Sequence, residues 1–414
     1  MELYSGQSCW IDTLPVPPAF PALDQDISCD VAIIGAGSTG ALCAYELIRH
    51  GLDVIVVDKR KAASGSSCVN TGLVQYINDK PLSACIHSFG TEQAVRFYSL
   101  CREAVSELQS ICSNIEGADF VRKDSLYVAS HPEDAAALKE ESAIITGYGF
   151  DAEYWDERTT ASQFAFGKAA LYSRGDAELN PYRFVNGLLA AIGRQGGRIY
   201  EHTEVKRHTT SPDSITLYTD KWKIQAQYVV FASGYETQER MANPNAVLSS
   251  TFAIATQPLD SFPDWPHRCL IWETARPYMY IRTTADNRII AGGFDERTNI
   301  ADERNRMLPH KASMLLEKLH EMFPRLPELR ASYSWAAAFG NTHDGLPMIG
   351  LHPSSPRCFL ALGYGGNGTV YSKIAASILS GLIVNGGHPD AQLFRVDRPS
   401  RTLSPAYRIN DCRG

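Results

Sequence analysis

The apolar positions change their period along the chain, and the change outlines a fold. Residues 1 to 28 show no period and are rich in proline, so an N-terminal arm packed on the surface is expected. Asp30 to Ile34 is a short apolar run of strand type. Thr39 to His50 places Leu42, Cys43, Leu47 and Ile48 on one helical face. Gly51 follows, as glycine commonly does past a helix C-terminus. Within Asp53 to Asp58, Val54 to Val57 is continuously apolar, the pattern of a strand buried on both faces.

The texture then changes. Thr91 to Cys112 predicts a long amphipathic helix through Val95, Leu100, Val105, Leu108 and Ile111, and Pro132 to Ile145 predicts another. Asn180-Pro181 opens a helix to about Arg194, because Asn accepts from free N–H groups and Pro fits the first turn. Asp176 and Glu178 lie just upstream, where negative charge favours a helix start. Short strands are expected at Ser214 to Leu217, Ile224 to Phe231, Phe252 to Thr256 and Arg288 to Ala291. A helix from Lys311 to Phe323, a strand from Phe359 to Leu362, a helix from Thr369 to Val384 and a strand from Ala391 to Val396 complete the chain. The order is βαβ, then mixed α+β, then strand–glycine–helix. It predicts an α/β fold in which residues 29–85, 172–235 and 330–400 form a nucleotide-binding domain. Residues 86–171 and 236–329 then form a discontinuous α+β second domain on a mixed antiparallel sheet.

Composition narrows the partners. Hydrophobic residues make up 44% and charged residues 21%, an ordinary globular balance. The net charge is −7 and no basic run exceeds Lys59-Arg60-Lys61, which argues against nucleic acid as a partner. No apolar stretch approaches the ~20 residues of a membrane helix, and no basic segment leads into an apolar one at the start, so neither a membrane span nor a secretion signal is expected. The ten cysteines are scattered without a CxxC, and metal-ligand spacing is absent. Cys43 and Cys101 sit in apolar settings. Free thiols in a reducing, cytoplasmic compartment are the simplest account.

Val31-Ala-Ile-Ile-Gly35-Ala-Gly37-Ser38-Thr39-Gly40 is a G-x-G-x-x-G segment between a strand and a helix. Gly35 permits the tight turn, Gly37 lets backbone approach a pyrophosphate, and Gly40 lets the helix pack on the sheet. The helix N-terminus, with Ser38 and Thr39, faces the phosphates with free N–H groups. Asp58 closes the second strand, followed by Lys59; its carboxylate suits a ribose 2′-OH and repels a 2′-phosphate. This favours FAD or NAD over NADP. Gly363-Tyr-Gly365-Gly366-Asn367-Gly368 matches the same pattern, but no second βαβ unit with a matching acid follows. It reads instead as a glycine-rich helix N-terminus.

Ser64-Gly65-Ser66-Ser67-Cys68-Val69-Asn70-Thr71-Gly72-Leu73 resembles a loop of the D-amino-acid oxidase, glycine oxidase and sarcosine oxidase superfamily of FAD-dependent oxidoreductases. Three later segments are similar to the same family: Val229-Val-Phe-Ala232-Ser233-Gly234, Thr342-His343-Asp344-Gly345-Leu-Pro347-Met-Ile349-Gly350, and Gly363 to Gly368. The resemblance spans about residues 29 to 400. It implies a Rossmann-like FAD-binding domain beside a substrate domain. It also implies that Ser66 and Ser67 approach the pyrophosphate, that Asn70, Thr71, Gly72 and Leu73 run beside the isoalloxazine, and that Val205 meets the adenine end. Ala232, Ser233 and Gly234 would form a second FAD contact, with Gly345 in the late segment. Gly365, Gly366, Asn367, Gly368 and Thr369 would aim a helix N-terminus at flavin O2, where charge develops on reduction. Some relatives attach FAD to a cysteine ahead of the late segment; Trp335 to Asn341 contains none, so noncovalent FAD is expected.

The resemblance further implies oxidation of an amine or amino acid at the C–H beside nitrogen, with hydride passing to flavin N5 and the imine then hydrolysing. Electrons would pass on to O2 or another acceptor. Tyr278, Tyr280 and Arg282 alternate and so share one strand face. That face could present two phenols and a guanidinium to a carboxylate, or be merely a solvated face. His343 could approach the ring or serve the loop structurally, and Tyr364 could line the pocket. Three other readings stay open: an FAD dehydrogenase of alcohols or glycerophosphate, an NAD-dependent dehydrogenase, and a noncatalytic flavin-binding protein.

Overall fold

A computed structural model describes residues 1–240, 246–363 and 365–398. Tyr364 and Cys412 lie outside the described residues. Among those described, the strands form two mixed sheets. The first runs in the order Met348–Leu351, Cys358–Leu362, Lys223–Phe231, Ile27–Ile34, Val54–Val57, Arg198–Tyr200. From Cys358–Leu362 onward these pairings are parallel. Val31, Ile33, Val54 and Val56 are fully buried on one side of the sheet, and Ala32, Ile55 and Val57 on the other, which is why these strands read as unbroken apolar runs. Helices Ser38–Arg49 and Gly368–Asn385 pack side by side on it, and the Thr39 and Ser372 hydroxyls meet at 2.8 Å.

The second sheet has ten strands, in the order Tyr4–Gln7, Ala331–Thr342, Ala246–Thr256, Ile289–Glu296, Met279–Thr283, Leu270–Glu273, Val121–Val128, Ala170–Glu178, Leu73–Val74, with Ala152–Trp155 beside Ala170–Glu178. Its pairings are antiparallel except that of Leu270–Glu273 with Val121–Val128. This is the α/β architecture expected, with a nucleotide-type sheet and a mixed antiparallel sheet.

Several expectations are corrected. The N-terminal arm is threaded into the protein: Tyr4–Gln7 pairs with Ala331–Thr342, and Ser8, Cys9 and Trp10 are buried. Strands Ala170–Glu178 and Ala331–Thr342 belong to the ten-stranded sheet, although most of each falls in the stretches 172–235 and 330–400 expected beside the nucleotide. Asp176 and Glu178 are therefore strand residues, not helix-start charges. Asp176 accepts from Ser125 Oγ and the Tyr76 N–H, while Glu178 pairs with Lys123 and Arg282. The helix predicted from Lys311 begins at Ala301 and runs through Pro309 to Met322. Ala391–Phe394 is a 3-10 turn that buries Leu393 and Phe394, not a strand. The Asn180 cap forms as expected, its Oδ1 accepting from the Arg183 N–H at 3.1 Å beside Pro181.

Candidate active site

The G-x-G-x-x-G turn forms at the end of strand Ile27–Ile34, where parallel strands open a crevice. Gly35 takes φ +111°, and a Cβ there would stand 2.4 Å from the Ala232 carbonyl oxygen. A Cβ on Gly40 would come within 1.8 Å of the Gly35 carbonyl oxygen, so this helix approach admits only glycine. Ser67 Oγ accepts from the Ser38 N–H at 3.0 Å and meets Ser38 Oγ at the same distance, tying the second loop to the helix N-terminus.

A cleft of about 690 Å³ runs from this turn. It is lined by Gly35, Gly37, Ser38, Thr39, Asp58, Lys59, Ser66, Ser67, Asn70, Val205, Ala232, Ser233, Gly234, Gly368 and Thr369, so most of the residues proposed from sequence for the dinucleotide meet in one groove. Asp58 accepts from the Ala36 and Arg60 N–H groups at 2.8 Å each. Burial raises its carboxyl pKa against those two bonds. Lys59 and Arg60 converge on Glu236 at the cleft margin. Sequence reasoning passed over Arg60, His208 and His352, which also line the groove.

Ser66, Asn70 and Gly368 line a second chamber as well, which continues from the end of the cleft. Thr71, Leu73 and Gly365 to Asn367 form its floor, and Tyr278, Tyr280, Trp272, Trp335 and Phe339 contribute walls. Gly292 makes room for one wall, since a Cβ there would lie 2.4 Å from Tyr280 Oη. Burial holds the Tyr278 phenol well above its ordinary pKa and pushes Tyr280 up to about 12, so both are hydrogen-bond donors at neutral pH. Asp79 and Asp295 also line the chamber. Burial, with repulsion from Asp79, pushes Asp295 up to about 6 despite its Thr251 hydrogen bond and the nearby Arg276.

Three of the proposed cofactor residues line neither space. Gly40 packs the helix, Gly345 packs on Lys80, and Gly72 takes φ +79° against Leu179 and Arg282. His343 is half-buried outside both spaces. Its neighbour Asp344 grips Arg398 at 2.6 and 2.9 Å, which makes the late segment a structural turn. Arg282 requires the clearest correction. It is 1% exposed and lines neither space. Its guanidinium donates to the carbonyls of Thr71, Gly72, Leu179 and Thr283 and pairs with Glu178, so it is consumed from behind the loop.

That loop has an unusual support. Five successive carbonyls, of Cys68, Val69, Asn70, Thr71 and Gly72, accept from side chains: Ser8 Oγ, Trp335 Nε1, Trp10 Nε1 and, for the last two, Arg282. The donors come from the arm and the ten-stranded sheet. A segment without a strand partner is thus fixed at every carbonyl.

A family model for FAD dependent oxidoreductases of the DAO type matches residues 30–382. The chain belongs to that family. It is similar to the gamma-glutamylputrescine oxidoreductase of Escherichia coli, 25% identical over 88% of this chain and 85% of that one. In fold it is similar to the glycine oxidase of Geobacillus kaustophilus, with TM-score 0.75 at 21% identity over 90% of this chain and 99% of the other. It is also similar in fold to the L-proline dehydrogenase of P. horikoshii, with TM-score 0.75 at 19% identity over 90% and 98%. FAD is the cofactor. The residues present fit it: Thr369 Oγ1, at the N-terminus of helix Gly368–Asn385 and on the cleft wall, is buried without a hydrogen-bond partner among the described residues. Such an orphan hydroxyl calls for an acceptor. No cysteine lines either space among the described residues.

Proposed function

We propose that this protein oxidises a small amine or amino acid at the C–H bond beside its nitrogen, using noncovalently held FAD. The observation that carries the reading is the continuity of the dinucleotide cleft with an aromatic chamber across Ser66, Asn70 and Gly368. The glycine-rich segment Gly365 to Gly368, which leads into helix Gly368–Asn385, lines the chamber. FAD, when bound, supplies the two-electron acceptor for such a C–H bond.

The chain's own residues have distinct tasks. Trp272, Trp335 and Phe339 exclude water from the reacting centre. Tyr278 and Tyr280 stay protonated and can orient a nitrogen or oxygen lone pair by donating to it. The Gly366 N–H is bonded to Asp79 Oδ2 at 3.2 Å, and the N-terminus of helix Gly368–Asn385 beyond it favours negative charge nearby. Asp295 is a chamber carboxyl that exchanges its proton near neutrality. The names of the relatives, which include an amine-directed oxidoreductase, a glycine oxidase and a proline dehydrogenase, support amine chemistry over alcohol chemistry.

The test is anaerobic mixing of the yellow holoenzyme with panels of amines, amino acids, alcohols and glycerol phosphate. Bleaching of the flavin band by an amine or amino acid, with none by the alcohols, is expected. Bleaching by alcohols alone replaces the reading with alcohol oxidation. A flavin that dithionite reduces but neither panel touches points to the noncatalytic alternative.

A further inference from the structure

One polar side chain on the chamber wall has its direction set from behind. Thr71, Leu73, Gln75 and Ile77 alternate along the chain, and all four line the chamber. Gln75 is 7% exposed. Its Nε2 donates to Ser125 Oγ at 3.2 Å and also bonds to Asp176. Ser125 Oγ in turn donates to Asp176 Oδ2, while Asp176 Oδ1 accepts from the Tyr76 N–H at 2.9 Å. Ser125 and Asp176 are buried on neighbouring strands Val121–Val128 and Ala170–Glu178, and neither lines the chamber.

This chain of hydrogen bonds runs in one direction. An ionised carboxylate can only accept, so Ser125 spends its single proton on Asp176 and turns a lone pair toward Gln75. The Gln75 amide must answer with its nitrogen. Its Oε1 therefore turns away from Ser125 and Asp176. No donor among the described residues reaches that oxygen, and it stays open to the chamber. An acceptor left without a donor in a buried wall costs free energy, which a guest bearing an N–H recovers. We propose that Gln75 Oε1 accepts from an N–H of the substrate's amine group, and that Ser125 and Asp176 are positioning residues that hold the amide with its oxygen toward the chamber. The inference rests on the amine-oxidation reading and names a residue that selects nitrogen carrying hydrogen.

The experiment compares guests of equal charge with and without an N–H. Holoenzyme is titrated with butylamine against butyltrimethylammonium, and with glycine against its N-trimethylated form. The pH is held at about 8, above the value of about 7 to which burial raises Asp176. The readouts are the shift of the flavin spectrum on binding and the rate of anaerobic bleaching. The N–H guest is expected to bind at least about tenfold more tightly than its methylated partner, as a charge-assisted hydrogen bond provides. Gln75→Met should cut that ratio by about tenfold while the protein keeps its FAD. Asp176→Asn is the second variant. Its introduced amide donates to Ser125, Ser125 then donates to Gln75 Oε1, and the Gln75 nitrogen turns toward the chamber. The ratio should fall by a similar factor, although Asp176 never touches the guest. A merely structural Asp176 would change Tm and leave the ratio alone. A ratio undiminished in both variants overturns the proposal; one that falls only in Gln75→Met overturns the positioning roles. If the N–H guests bind in a Gln75-dependent way but bleach nothing, the contact stands and the oxidation reading fails. If they bleach the flavin with affinities that neither variant alters, the oxidation reading stands and this proposal fails.

Discussion

Removing Arg282 separates two roles that predict opposite phenotypes. As a substrate anchor, its loss would raise KM for carboxylate substrates and leave FAD in place. As the clamp seen here, its loss strikes the protein before any substrate arrives. Arg282→Met deletes donors to four carbonyls and strands Glu178, which is 4% exposed and, among the described residues, keeps Lys123 at 3.6 Å. Breaking a buried ion pair from one side costs about 3–5 kcal/mol, and the remaining lysine favours the lower end. Unfolding 414 residues as one unit carries an entropy of roughly 0.9 kcal/mol per kelvin, so a loss of about 3 kcal/mol lowers Tm by roughly 3–4 °C. The freed Thr71 and Gly72 carbonyls also loosen the loop between cleft and chamber, so the purified variant is expected to hold markedly less FAD. Adding Glu178→Gln removes the stranded charge and should recover part of the Tm without restoring the FAD. The readouts are flavin absorbance per protein, a melting curve, and KM on refilled enzyme. A variant with unchanged melting and full flavin but a strongly raised KM for carboxylates would refute the clamp and reinstate the anchor.

Other perturbations read other parts of the site. Acid precipitation is expected to release all yellow colour into the supernatant; colour kept in the pellet means a covalent link. Thr369→Val should weaken FAD binding to the apoprotein by roughly fivefold to tenfold, the worth of one hydrogen bond to a buried hydroxyl; an unchanged constant would deny Thr369 a cofactor role. Asp176 is pushed by burial from 3.8 to about 7, so the folded protein keeps a proton that the unfolded chain sheds above pH 4. Stability on this account falls between about pH 4 and 7, by a total on the order of 4 kcal/mol, and Asp176→Asn should flatten that slope. Parallel melting profiles of the two proteins over this range would reject the assignment.

The nucleotide half of the fold was legible because its signals are local. A buried parallel strand is a continuous apolar run, and a phosphate turn needs glycines at fixed spacing, so Gly35, Gly37, Gly40 and Asp58 announce themselves. The ten-stranded sheet was less legible because its pairings are distant in sequence. Val121–Val128 mixes four apolar with four polar residues, and only its neighbours Ala170–Glu178 and Leu270–Glu273 make it a strand. The arm looked featureless because four residues of edge strand carry no period, yet their partner lies more than three hundred residues on. Alternation grouped Tyr278 with Tyr280, and both line the chamber. It misjudged Arg282 because a shared face says nothing about what already occupies the far end of that face. Asp295 was overlooked although it follows Gly292 and Gly293 on the adjoining strand. Its signal was an acid on a strand whose glycines clear space for a tyrosine.

The loop from Cys68 to Gly72 has no strand partner, and such a segment would ordinarily move. Here its carbonyls are satisfied by Ser8, Trp10, Trp335 and Arg282, all from elements remote in sequence. With every carbonyl held, Asn70, Thr71 and Leu73 are fixed against the chamber before a ligand enters, so binding does not have to order them. The arm belongs to this device, since two of the four donors are its own. An enzyme built this way ties cofactor retention to the integrity of the second sheet. Damage at Trp10 or Trp335, far from the phosphate turn in sequence, should therefore be read first in flavin content and only secondarily in turnover.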